Sequence, residues 1–262
     1  MRILFVGDVV GKPGRQVLRE RLAGLMAQED IDLCVVNGEN AAGGVGITEE
    51  IAQEFFSWGV DLVTMGNHVW DKREVYAFIE REPRLIRPLN YPPGAPGQGV
   101  ALVTARDGST VAVVNLSGRV FSTVHFDCPF RTGAAAVEGL RQHTGVILVD
   151  LHAEATSEKV AMGWFLDGKV TAVLGTHTHV QTADERILPG GTAFITDVGM
   201  TGPRDSVIGI RVDLVLDRFL HQRPVSFEVA KGPRQLSAVV LDVDAVTGRA
   251  RQIRRILQRG EG

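Results

Sequence analysis

Apolar residues in this chain gather into short runs, each followed closely by glycine or a polar residue. Ile3 to Val6 leads into Asp8, Leu33 to Val36 into Glu39 and Asn40, and Leu62 to Met65 into Asn67 and His68. Val146 to Val149 leads into His152, and Val170 to Leu174 into His177 and His179. Runs of Val, Ile and Leu at this length read as strands buried on both faces of a parallel or mixed sheet. Helical spacing lies between them. Val17, Leu18, Leu22, Leu25 and Met26 predict a helix over 15–27, after a VVGKPG loop. Thr48 reads as an N-cap before EEIAQEFFSWG, with Glu49 and Glu50 where the helix dipole favours negative charge. Ile51 stands three residues after Thr48, which excludes a reciprocal capping box, and Gly59 ends that helix. A third helix is expected from Asp71 through Val75, Phe78 and Ile79 to Pro83.

Residues 84–99, with YPPGAPGQG, form a surface loop rather than a linker. Val100 to Thr104 and Thr110 to Asn115 predict two strands joined by a turn at Asp107 and Gly108. Ser117 to Thr132 lacks periodicity and is expected to lie over a site. Helices are predicted over 134–143 and 157–165, and strands over 186–188, 192–196, 226–229, 236–243 and 249–257. Strands alternating with helices predict an α/β fold. One domain over 1–262 is expected, since this length supports one substantial core and no repeat divides it.

Composition narrows the function classes. Hydrophobic content of 44% and charged content of 23% are those of an ordinary globular protein. A net charge of −3 offers nothing to a nucleic-acid polyanion or an anionic membrane, although a bound cation could still attract a small phosphate. Apolar runs are too short for a membrane helix, and MRILFVGD is too short for an export signal. Cys34 and Cys128 lie far apart, as expected for reduced thiols in a cytoplasmic protein. Self-association into a homo-oligomer is left open.

Ligands in α/β sheets collect at the carboxyl ends of strands, so these scattered polar residues can converge. Taken singly, Asp8 reads equally as a helix cap, Glu39 as a surface carboxylate, Asn67 as a turn residue and His152 as a core histidine. Together they supply what a two-metal hydrolase requires. Two divalent ions about 3.5–4 Å apart need an anionic bridge and neutral ligands, which a carboxylate and imidazoles provide. In a regular strand His177 and His179 would face the same way, whereas a turn at the strand end lets their rings diverge. His125 is a lesser candidate for touching substrate, while His143 and His221 read as solvated. The basic end, 249–259, reads as the wet face of a strand, and AAGGVG (41–46) as either an anion nest or a turn.

The ordered series Asp8, GEN, GNH, His152 and GTHTH resembles the calcineurin-like metallophosphoesterase superfamily, and within it the YmdB-type 2′,3′-cyclic nucleotide phosphodiesterase branch. Val10 departs from the superfamily's D-x-H histidine, and Glu39 from its usual bridging aspartate. Asn40 holds the position that compensates in this branch. The resemblance implies a four-layer fold, two facing mixed β-sheets flanked by helices. It also implies two divalent or mixed-valence metal ions, iron by preference, with manganese or zinc accepted. Asp8, Glu39, Asn40 and His179 would hold one ion, and Glu39, Asn67, His152 and His177 the other. His68 would protonate the leaving oxygen of a small-molecule phosphodiester. A phosphoprotein phosphatase, a nuclease and a nucleotide-binding regulator remain the alternatives on this scaffold.

Overall fold

The computed structural model describes residues 1–260. The first third of the chain supplies β1 (Arg2–Val6), β2 (Asp8–Val9), α1 (Gly11–Glu29), β3 (Leu33–Asn37), α2 (Glu49–Ser57), β4 (Leu62–Thr64), α3 (Val75–Arg81) and β5 (Leu85–Ile86). The middle supplies β6 (Val100–Thr104), β7 (Thr110–Ser117), α4 (Pro129–Leu140), β8 (Val146–His152), α5 (Thr156–Leu166) and β9 (Ala172–Thr176). The remainder is β10 (Arg186–Ile187), β11 (Ala193–Ile195), β12 (Met200–Pro203), α6 (Val212–His221), β13 (Arg234–Val243) and β14 (Ala250–Gly260).

Two mixed sheets result. One runs β2-β12-β13-β1-β3-β4-β5, with β14 paired to β13, and the other runs β10-β11-β9-β8-β7-β6. Alternation along each strand builds the layers, because successive side chains point to opposite faces. Ile3, Phe5, Leu33 and Val35 of the first sheet meet Val111, Val113, Leu148 and Leu174 of the second in one buried cluster. Their neighbours Leu4, Val6, Cys34 and Val36 turn outward onto α1 and α2. Ala112, Val114, Ile147 and Val149 turn outward onto α4 and α5. Two facing sheets with helices outside both are therefore the observed architecture. No helix among the described residues is long and apolar enough to cross a membrane. Cys34 is buried and Cys128 partly buried, and both are free thiols.

Several boundaries differ from the sequence reading, for identifiable reasons. Helix α1 begins at Gly11 rather than Arg15, and α4 at Pro129 rather than Ala134. In both a proline lies in the first turn, where its missing N–H has no intrahelical partner to lose. Helix α3 begins at Val75, because the Asp71 carboxylate is bonded to the His68 ring instead of capping a helix. Residues 226–229 make only an isolated bridge, Ile210 with Val229, and the short strand β12 has no sequence counterpart. Thr48 does cap α2, its Oγ1 accepting from the Ile51 N–H at 3.3 Å. Gly59 follows the helix with φ +97°, and the turn at Asp107 and Gly108 joins β6 to β7.

Candidate metal centre

The parallel run β1, β3, β4 and the run β7, β8, β9 deliver their carboxyl ends to the same edge of the sandwich. Asp8 follows β1, Glu39 and Asn40 follow β3, Asn67 and His68 follow β4, His152 ends β8, and His177 and His179 follow β9. Donor atoms of Glu39, His152 and His177 lie within 4.8 Å of one another. His152 Nε2 is 2.8 Å from Glu39 Oε1 and 2.9 Å from His177 Nδ1. Asp8 joins them from the other side, with Oδ1 3.8 Å from His152 Nδ1 and 3.9 Å from His179 Nε2. Asn40 Oδ1 sits 3.3 Å from His179 Nε2.

Local geometry aims these atoms. His177 and His179 have φ of +99° and +66°, so the strand has broken into a left-handed turn that sends one ring toward His152 and the other toward Asn40. Left-handed φ in residues other than glycine costs on the order of 1–3 kcal/mol each, and such strain gathers at functional sites. The His179 Nδ1 faces the Ile208 carbonyl at 2.8 Å, which leaves Nε2 for the centre. The His152 Nδ1 contacts Thr176 Oγ1 at 2.9 Å, and that hydroxyl donates to Asp150 Oδ1 at 2.7 Å. Asn37 Nδ2 donates to the other Asp150 oxygen at 3.1 Å. Partners of this kind fix the orientation and tautomer of metal-binding imidazoles. The Asn40 amide donates to the Gly44 carbonyl, turning Oδ1 inward. Amides of Ala41, Ala42 and Gly44 bond to the carbonyls of Gly38, Gly46 and Asn40, so 41–46 is a folded turn that holds Asn40.

Electrostatics follow from burial. Burial raises the Asp8 carboxyl, with His179 and His152 pulling the other way. For Glu39 burial also pushes upward, yet the charge and hydrogen bond of His152 outweigh it and bring the carboxyl down to about 2. Burial would lower His152, but Glu39 and Asp8 lift it to about 9. Burial and the neighbouring His152 push His177 down to about 3. Asp8 Oδ1 is buried with no hydrogen-bond partner. An unpaired buried carboxylate oxygen is costly in a folded protein unless a cation completes it. Carboxylate, amide and imidazole donors of this kind suit a divalent cation, so the residues that converge here fit a metal site.

His68 bonds through Nδ1 to Asp71 Oδ2 at 2.8 Å, and its backbone N–H donates to Glu39 Oε2 at 3.3 Å. Asn67, His152 and His177 line a cavity of about 190 Å³, walled opposite by residues 117–123. The irregular segment thus does flank the site. His125 is exposed and does not line that cavity, and His68 lies outside it too. His143 and His221 are exposed, away from the centre.

Sequence reasoning missed the supporting residues. Asp71 and Asp150 are detectable in principle: Asp71 is three residues after His68, and Asp150 shares a strand face with His152. Glu154, whose Oε2 lies 3.1 Å from His177 Nε2, carries no comparable signal. Nor does the Ile208 carbonyl.

A family model described as YmdB-like protein matches residues 4–256. The chain is 50% identical over 257 residues to a 2′,3′-cyclic-nucleotide 2′-phosphodiesterase of Bacillus subtilis (strain 168), covering 98% of this chain and 97% of that one. A crystal structure of a hypothetical protein from Thermus thermophilus superposes with a TM-score of 0.93 at 43% identity, covering 100% of both chains. A crystal structure of a novel phosphatase from Mycoplasma pneumoniae gives a TM-score of 0.93 at 35% identity, covering 100% of this chain and 94% of that one.

Proposed function

The chain belongs to the YmdB-like family, and from that premise we propose that it is a metal-dependent phosphoric diester hydrolase acting on small cyclic nucleotides of the 2′,3′-cyclic AMP type. The observation that carries this reading is the convergence of Glu39, His152 and His177 within 4.8 Å, beside a buried Asp8 oxygen that nothing else satisfies. Asp8, Glu39, Asn40 and His179 would hold one ion, and Glu39, Asn67, His152 and His177 a second, with Glu39 shared. When bound, the ions, iron or else manganese or zinc, supply Lewis-acid charge to a phosphoryl group near neutral pH.

The chain's own residues do the rest. Asp71 accepts from the His68 Nδ1–H, so the ring in its imidazolium form has an Nε2–H to give to the departing ribose oxygen. The His68 backbone N–H anchors that ring beside the shared carboxylate. Ser117, Gly118 and residues 120–123 line one side of the cavity beside His152 and His177, and a volume of about 190 Å³ favours a small phosphodiester over a polymer. Well-separated free thiols suit a cytoplasmic setting, and residues 1–262 are assigned to a single catalytic domain.

Purified protein of known metal content, offered 2′,3′-cyclic AMP, 3′,5′-cyclic AMP, an aryl phosphodiester and a phosphopeptide, is expected to hydrolyse the first fastest. Preference for the phosphopeptide would overturn the assignment. Glu39→Ala should lose both ions. His68→Ala should keep them while turnover falls about a hundredfold to ten-thousandfold, the usual contribution of a proton donor. Unchanged turnover in the latter would remove His68 from the acid role.

A further inference from the structure

Beyond β7 the chain makes a tight turn at the mouth of the cavity. The Gly118 N–H donates to the His152 carbonyl at 2.9 Å, and the Arg119 and Val120 N–H groups donate to Glu158 Oε1 and Oε2 at 3.0 and 3.3 Å. Glu158 lies in the first turn of α5 and is buried, so a single carboxylate clamps the stem of the loop. The Ser122 N–H then closes a four-residue turn on the Arg119 carbonyl at 3.2 Å, with Phe121 in the third position. There φ is +63°, a value that turns normally assign to glycine or asparagine. Phe121 is also 83% exposed, while lining the cavity that holds Asn67, His152 and His177. One exposed apolar side chain is ordinary. An aromatic ring on a strained backbone, fixed by a buried carboxylate at the mouth of a site, is not, and such strain points to a ligand.

We propose that the Phe121 ring is the platform on which the base of the nucleotide stacks, an inference that rests on the cyclic-nucleotide reading above. In such a substrate the phosphate bridges the 2′ and 3′ oxygens, whereas the base is carried on C1′ and projects away from the reacting phosphorus. A cavity of about 190 Å³ is smaller than the roughly 300–1,000 Å³ of pockets that enclose a whole ligand. A phosphate drawn down to His152 and His177 therefore leaves its base at the mouth, where Phe121 stands. Val120, 42% exposed and lining the same cavity, widens the apolar face. Because the loop is fixed before substrate arrives, little ordering opposes the contact. The Ser122 hydroxyl is engaged within the turn, donating to the Val124 carbonyl at 3.1 Å. Every base has a π-face, so the platform takes any of them and favours purines through their larger overlap.

Two substrates separate base from phosphate: 2′,3′-cyclic AMP, and glycerol 1,2-cyclic phosphate, which offers the same cyclic diester without a base. In manganese-loaded protein Phe121→Ala is expected to lower kcat/KM for the nucleotide roughly ten- to hundredfold more than for the glycerol compound, the usual range for one stacked base, with the difference carried by KM. Phe121→Trp should keep or raise the preference for the nucleotide. Phe121→Leu, apolar but without a π-face, should lose it as the alanine variant does, and serves in its place should that variant fail to fold. Equal losses on the two substrates, or a preference that survives both truncations, would overturn the proposal. Calorimetric binding of adenosine 3′-monophosphate and glycerol 2-phosphate keeps this test apart from the catalytic one. A parent protein that hydrolyses neither cyclic phosphate would overturn the proposed function. The platform itself would then be upheld by a roughly ten- to hundredfold selective loss of adenosine 3′-monophosphate affinity in Phe121→Ala, and overturned if the parent binds the two monoesters equally or the variant weakens both alike.

Discussion

Gly66 packs so closely against the centre that a Cβ there would stand 2.0 Å from Glu39 Oε2 and 2.5 Å from His152 Nε2. Neither neighbour can yield without opening the contact between that carboxylate and that imidazole. Gly66→Ala is therefore expected to lower metal content sharply while leaving far-ultraviolet circular dichroism unchanged. Metal content equal to the parent's would mean that the Glu39 to His152 spacing does not govern binding. Asn40 shows the same economy in a different way. Its amide is locked onto the Gly44 carbonyl and its backbone carbonyl accepts from the Gly11 N–H, so its oxygen reaches His179 beside Val10, where an imidazole would otherwise be expected. Asn40→Ala removes that oxygen without disturbing Glu39. The expected result is loss of one ion of the pair, read as a halved metal stoichiometry, and a full complement would refute the ligand assignment.

At the scale of elements, a buried ion pair ties three segments together beneath the histidine turn. Lys159 of α5 meets Asp197, just after β11, at 2.6 Å, and both are fully buried. Asp197 also accepts from the Thr178 N–H and hydroxyl and from the Gly199 N–H, which leads into β12. Asp197→Ala strands a buried ammonium and frees the turn, at an expected cost of about 3–5 kcal/mol in urea unfolding. Adding Lys159→Met should recover much of that stability, because the uncompensated charge disappears. A double variant no more stable than the single one would count against this account.

None of this pair was legible in the sequence, since a lysine on a helix reads as solvated until its neighbours in space are known. The strands that deliver the site were legible, because buried parallel strands announce themselves as apolar runs and each ends in a polar group. Proline-containing helix starts at Gly11 and Pro129 were not, as proline in a first turn resembles proline in a loop. The two-layer arrangement of sheets entered through resemblance, since a continuous apolar run shows that a strand has two buried faces but not what covers each.

For the molecule as a whole, packing the centre between two sheets links its protonation to both folding and metal uptake. In the metal-free protein Glu39 is held at about 2, so its contribution is present above the ordinary carboxylate range and is lost as pH falls toward 2. His152 is raised to about 9, so its contribution is full below the ordinary imidazole range and is lost as pH climbs through 9. His177, lowered to about 3, stays neutral in the fold while the unfolded chain takes a proton, so stability declines as pH drops from about 6.5 toward 3. Asp150 runs against that acid-side decline. Burial raises it to about 6, so between the ordinary aspartate value and 6 it holds a proton in the fold and favours the folded state as pH falls. Asp8, also raised by burial, acts in the same direction as Asp150. A ligand imidazole must give up its proton to a metal, so at pH 7 uptake should release about one proton from His152 for each protein loaded. Apparent affinity should then rise about tenfold per pH unit until it levels near 9. Titration calorimetry of manganese binding in buffers of differing ionisation enthalpy measures that proton count directly. Binding that is independent of buffer and flat between pH 7 and 9 would show that His152 is already neutral before any ion arrives, and the Glu39–His152 charge pair would have to be abandoned.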